Sequence, residues 1–191
     1  MAGSFFIVFF FVLEYVKRRF QINSEYTRKF AHIFGGLGVL ISSFYLNQLE
    51  YLSLTLFFLF VFLISFKKKL LKLFTEISRK SYGEITYLMG LILLGLFMYN
   101  TKNLFYCGLL LLIFPDSVAG LIGYQINKQK KTLVGSFIYF LLALFILLQF
   151  FPSAYSIPFA VLLSLTEYFS PYGLDNFSIP LVYILVVNLF L

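Results

Sequence analysis

Asp116 is the residue from which any chemistry in this chain has to be argued. It lies in Phe114-Pro115-Asp116-Ser117-Val118-Ala119-Gly120-Leu121-Ile122-Gly123, inside an otherwise apolar run. A carboxylate in such a run must face protein, water or a cation. Ala119, Gly120 and Gly123 stand three, four and seven residues further on, so a helix places them on the Asp116 stripe. That strip has almost no side chains, and a ligand's phosphates could approach it closely. Small residues at this spacing also serve helix packing, a reading that leaves Asp116 unexplained. Pro115 cannot donate to the Leu111 carbonyl and is expected to bend the helix there. The following loop supplies Lys130, Lys131 and Thr132 directly before Gly135 and Ser136 at a helix start. Cations, hydroxyls and free amides at a helix N-terminus make an anion site. Asp116 holding Mg²⁺ while that loop holds phosphates is the division of labour used in phosphoryl transfer.

Two further groups could join it. Glu25-Tyr26-Thr27-Arg28-Lys29-Phe30-Ala31-His32 brings Arg28 and Lys29 within one turn of His32, the single histidine. This histidine could be an interfacial anchor, but the cations beside it suit phosphate oxygens. With no cysteine or second histidine nearby, zinc is not expected. The other group is Ser81-Tyr82-Gly83-Glu84, Glu167, and Pro171-Tyr172-Gly173-Leu174-Asp175-Asn176. Asp175-Asn176 could be an N-cap, and Glu84 could complement a helix dipole. Glu167 lies inside an apolar run and is harder to assign to capping.

The elements that must position these residues follow from composition. The chain is 61% hydrophobic and 12% charged, with mean hydropathy +0.92, whereas soluble domains run near a quarter charged. The apolar runs are continuous, which argues for helices over the alternating strands of a barrel. Eight candidate spans result, at 3–17, 30–46, 50–66, 85–100, 104–124, 133–151, 154–169 and 177–191. The expected fold is an all-α polytopic integral-membrane bundle, one catalytic domain over 1–191. Fourteen of the fifteen Lys and Arg residues fall after spans one, three and five, and Lys102 alone falls on the other side. The positive-inside rule then puts the odd-numbered connections in the cytoplasm and both termini outside. Glu14, Glu25, Glu76, Glu84, Asp116, Glu167 and Asp175 share the cytoplasmic side, and only Glu50 does not. Acids need not follow that rule, so their gathering points to a shared site. Cys107, the one cysteine, excludes a disulfide framework and reads as a buried hydrophobe. Phe5 to Val16 reads as a retained span rather than a signal peptide.

With these residues assembled, the chain resembles the CTP-dependent lipid kinases, which include dolichol kinase, phytol kinase and prokaryotic polyprenol-kinase-like proteins. That group in turn resembles the integral-membrane phosphatidate cytidylyltransferases. The resemblance rests on Glu25 with Arg28-Lys29-Phe30-Ala31-His32, on Gly83-Glu84, and on Asp116-x-x-Ala119-x-x-x-Gly123. It continues through Lys130-Lys131-Thr132-x-x-Gly135-Ser136 to Glu167 and Asp175-Asn176-x-x-x-Pro180, covering about residues 25–181. The chain departs from the pattern at Asn127, where a glycine is usual, in the short loop to Lys130, and at Val134, where many members have Glu. The resemblance implies transfer of the γ-phosphate of CTP to the hydroxyl of a membrane alcohol such as polyprenol, dolichol or phytol, at the cytoplasmic face. It implies Asp116 as a Mg²⁺ ligand, and Asp175 or Glu167 as a second ligand or the base. It further implies Lys130 and Lys131 on the phosphates, aided by amides near Gly135 and Ser136, with Arg28, Lys29 and His32 neutralising charge. Cytidylyl transfer to a lipid phosphate, or CTP-dependent phosphorylation of diacylglycerol, would use nearly the same residues. A small transporter would need polar residues through the outer halves of the spans, which hold few. No nucleic-acid partner is expected.

Overall fold

The computed structural model describes residues 2–68 and 82–190. Lys69, Lys72, Glu76, Arg79, Lys80 and Ser81 therefore lie outside the described residues. The described chain is all-helical: α1 (Ala2–Phe20), α2 (Ser24–Ser42), α3 (Gln48–Lys68), α4 (Gly83–Phe97), α5 (Lys102–Ile126), α6 (Leu133–Leu147), α7 (Ser153–Phe169) and α8 (Asp175–Phe190). These eight helices coincide with the eight apolar runs, and there is no strand among the described residues.

α5 is the central helix. Leu109, Leu111, Leu112 and Ile113 are fully buried on it, and it packs against α2, α4, α6 and α8. α3 lies on α4, α7 joins α6 to α8, and α1 lies against α2. Pro115 is accommodated within α5, which remains one helix from Lys102 to Ile126. Two close crossings tie the bundle. A Cβ at Gly90 would lie 2.2 Å from the main-chain oxygen of Asn176, so α4 and α8 touch backbone to side there. A Cβ at Gly108 would lie 2.6 Å from Leu94 and 3.1 Å from Tyr183.

The two ends of the bundle differ in chemistry. At one end Tyr99 Oη donates to the Leu46 carbonyl at 2.5 Å, Gln48 Nε2 donates to Gly95 O at 2.9 Å, and Lys102 Nζ sits 3.4 Å above the Tyr99 ring. The opposite end carries the ion pairs described below. On length and apolarity two helices, α3 and α5, are sufficient to cross a membrane. α4 and α6 have 15 residues and α8 has 16. At 1.5 Å per residue they measure about 23 Å, against a hydrocarbon core of ~30 Å.

Candidate functional site

Helix starts prepare the polar end. Asn23 caps α2 by accepting from the Glu25 amide at 2.9 Å. Thr132 caps α6, its hydroxyl accepting from the Gly135 amide at 3.1 Å, because the first amides of a helix have no intrahelical partner. α8 begins at Asp175, whose Oδ1 accepts from the Asn176 amide at 2.9 Å. These three starts surround the end of α5.

The predicted residues meet there in one cavity of about 530 Å³, which Arg28, Lys29, Asp116, Ala119, Gly120, Gly123, Lys130, Lys131, Thr132, Gly135, Ser136, Glu167, Asp175 and Asn176 all line. His32 and Glu84 do not join it. His32 Nε2 lies 3.2 Å from the Leu112 carbonyl oxygen, and its ring packs against Tyr87 at a centroid distance of 3.9 Å. Both His32 and Glu84 line a second, narrow apolar slot that shares Arg28 and Lys29 with the polar cavity.

Ion pairs organise the cavity. Lys29 Nζ lies 2.6 Å from Asp116 Oδ2 and donates to the Asp116 carbonyl at 3.0 Å. Its stem crosses α5 at Gly120, where a Cβ would stand 2.6 Å from Lys29 Cε. Gly123 lies against Thr132 Oγ1, and a Cβ at Gly135 would stand 3.1 Å from the Ala119 carbonyl oxygen. The small-residue strip therefore packs the start of α6 and admits Lys29 while leaving the cavity open.

Lys131 Nζ lies 2.6 Å from Asp175 Oδ2 and 2.7 Å from Glu167 Oε1, and also bonds the Glu167 carbonyl. Ser136 Oγ donates to Glu167 Oε2 at 2.8 Å. Burial works against the Lys131 ammonium, but Asp175 and Glu167 outweigh it and raise its pKa above the ordinary lysine value. Lys131 therefore stays charged across the physiological range. Arg28 Nη2 pairs with Glu25 Oε2 at 2.9 Å and faces Glu84 at 4.0 Å. Lys130 is exposed at the rim.

Mg²⁺ can be tested against these donors. Among the described residues no three His, Cys, Asp or Glu side chains form a metal cage. Mg²⁺ usually takes one or two carboxylates together with substrate phosphates and water, and Asp116 and Asp175, on the same cavity, fit that smaller role.

Sequence reasoning named Tyr172 and Gly173 without giving them a role, and it missed Tyr87 and Tyr124. The turn Tyr172-Gly173 has positive φ at both positions, 55° and 80°. It is fastened to α4 by Tyr82 N donating to Tyr172 O at 2.9 Å and Thr86 Oγ1 donating to Gly173 O at 2.6 Å. Tyr124 Oη accepts from Asn23 Nδ2 at 3.2 Å. Tyr87 stands three residues after Glu84, a spacing that could have shown it sharing that face.

An uncharacterized protein of Rickettsia prowazekii (strain Madrid E) is 32% identical to the chain over 142 residues, covering 65% of this chain and 70% of the relative. The chain belongs to the family of that protein. No protein-family model and no solved structure matches it.

Proposed function

We propose that this protein is a membrane-embedded kinase that transfers the γ-phosphate of CTP to the hydroxyl of an isoprenoid alcohol. The observation that carries the reading is the single cavity that gathers Asp116, Asp175, Glu167, four cations and the capped start of α6. Anionic phosphates suit such a surface, because cations and helix-start amides bind them directly. CTP and an isoprenoid acceptor follow from the resemblance to the dolichol and phytol kinases.

Several features favour a multi-span bundle. α3 and α5 have the required length and apolarity. Large apolar side chains face outward on the other helices as well, including Phe11, Phe34, Phe97, Phe137, Phe145, Leu165 and Leu189. Soluble monomers rarely expose contiguous apolar surface on this scale. The shorter helices would be met by local thinning of the bilayer. The polar cavity would then open to the cytoplasm, with both termini on the other side.

In the reaction the alcohol oxygen attacks the γ-phosphorus. The bond between that phosphorus and the β–γ bridging oxygen breaks, CDP leaves, and the hydroxyl proton passes to a carboxylate. Mg²⁺ brought with the nucleotide would neutralise phosphate charge, with Asp116 and Asp175 as the residues that would hold it. Lys131 fixes Asp175 and Glu167 in place, and Arg28 and Lys29 offer positive charge where the two cavities meet.

The test is phosphoryl transfer by purified Asp116→Asn protein. Loss of one electrostatic partner of the transferred group costs about 10²–10³ in rate at comparable sites. A drop of that size in a variant that stays folded at the assay temperature, its melting temperature lowered by the stranded Lys29, supports the assignment, and normal turnover in this variant removes it.

A further inference from the structure

Beside the polar cavity, an apolar slot runs between α1, α2, α3 and α4. Its volume is about 80 Å³. Tyr51 and Phe62 both line it, eleven positions apart on α3, so its length is roughly 16 Å. That volume over that length makes the slot too narrow for a pair of hydrocarbon chains. The α1 wall meets α3 through two ring contacts, Phe6 with Phe58 and Phe10 with Phe62, at centroid distances of 5.4 and 5.2 Å.

The slot is apolar along its length and polar at one end. There Glu84 Oε1 is buried with no hydrogen-bond partner among the described residues, although Arg28 faces Glu84 at 4.0 Å. Buried polar atoms are normally paired, so this orphan at the head of an apolar slot marks the place of a missing polar group. Arg28 and Lys29 belong to both the slot and the phosphate cavity, which sets that head against the phosphates. The other acids are already engaged. Asp175 is held by Lys131 and the Asn176 amide, and Glu167 by Lys131 and Ser136.

We infer that the slot holds the tail of a single-chain lipid alcohol, with its hydroxyl at Glu84, and that Glu84 takes the hydroxyl proton. Resting on the kinase reading, this selects single-chain acceptors and excludes diacylglycerol. Glu84 accepts the proton as the oxygen–phosphorus bond forms and CDP departs.

A geranylgeraniol analogue carrying a diazirine on its tail tests it on the purified wild-type protein, with adducts located by mass spectrometry. Adducts are expected on slot residues of α2 and α3, displaced by geranylgeraniol and not by diacylglycerol. Adducts spread over the outer faces, or displaced equally by diacylglycerol, overturn the inference. A Cβ at Gly35 would touch only Phe9, at 4.0 Å, so Gly35→Leu should fill the slot. It should reduce adducts at least tenfold with an unchanged melting temperature, and full labelling of a folded variant contradicts the slot. Glu84→Gln should keep the adducts and lower phosphoryl transfer about 10²–10⁴-fold; full transfer removes Glu84 as base. Adducts without transfer from CTP leave the slot standing and defeat the kinase reading. Transfer without slot adducts does the reverse.

Discussion

Lys29 and Asp116 are both almost fully buried, with side-chain exposures of 8% and 5% at 2.6 Å. Removing one member of such a pair strands the other, at a cost of ~3–5 kcal/mol. Lys29→Met should therefore lower the melting temperature in detergent sharply, and Lys29→Met with Asp116→Asn should recover part of the loss. A double variant no better than Lys29→Met would show that the pair is not what holds α2 on α5. The acids were legible in the sequence because a charge in an apolar run has few explanations. Which lysine takes which carboxylate was not, since residues 29 and 116, like 131 and 175, meet only through the fold. Glu84 and His32 were singled out as chemistry-bearing types, but spacing could not show that they turn toward the slot.

At the scale of the helix, the site depends on where α4 crosses α8. Gly90 lies against the main-chain oxygen of Asn176, one residue from Asp175. A backbone oxygen cannot step aside as a flexible side chain can. Gly90→Ala should cost roughly 1–3 kcal/mol by overpacking and should displace Asp175, lowering phosphoryl transfer together with the melting temperature. A variant with wild-type stability and activity would contradict this crossing. The eight helices were legible from hydropathy, with their ends less so. α2 starts at Ser24, six residues before its apolar run, because Asn23 caps it and Glu25 neutralises Arg28. Hydropathy counts those polar residues as loop. Gly90 gave no signal, since a lone glycine in an apolar helix has no visible partner in the sequence.

Over the whole molecule, fourteen of fifteen Lys and Arg residues follow the first, third and fifth apolar runs, and the ion-paired cavity opens at the end where Arg28, Lys29, Lys130 and Lys131 lie. Gln129 belongs to that end and Asn100 to the other. Cys107 is fully buried, so added cysteines can report sidedness. In intact cells an impermeant maleimide should label Asn100→Cys and spare Gln129→Cys until the membrane is opened. Labelling of both from the same side would overturn the multi-span arrangement. Charge asymmetry made the polar end of the bundle legible, whereas the slot was not, because it is formed by ordinary apolar residues of four separate helices.

The most direct measurement uses wild-type protein with geranylgeraniol and CTP, labelled on the α-phosphate in one reaction and on the γ-phosphate in another. A kinase moves the γ label to the lipid and leaves the α label in CDP. The α label in lipid with release of pyrophosphate, or neither label transferred, contradicts it.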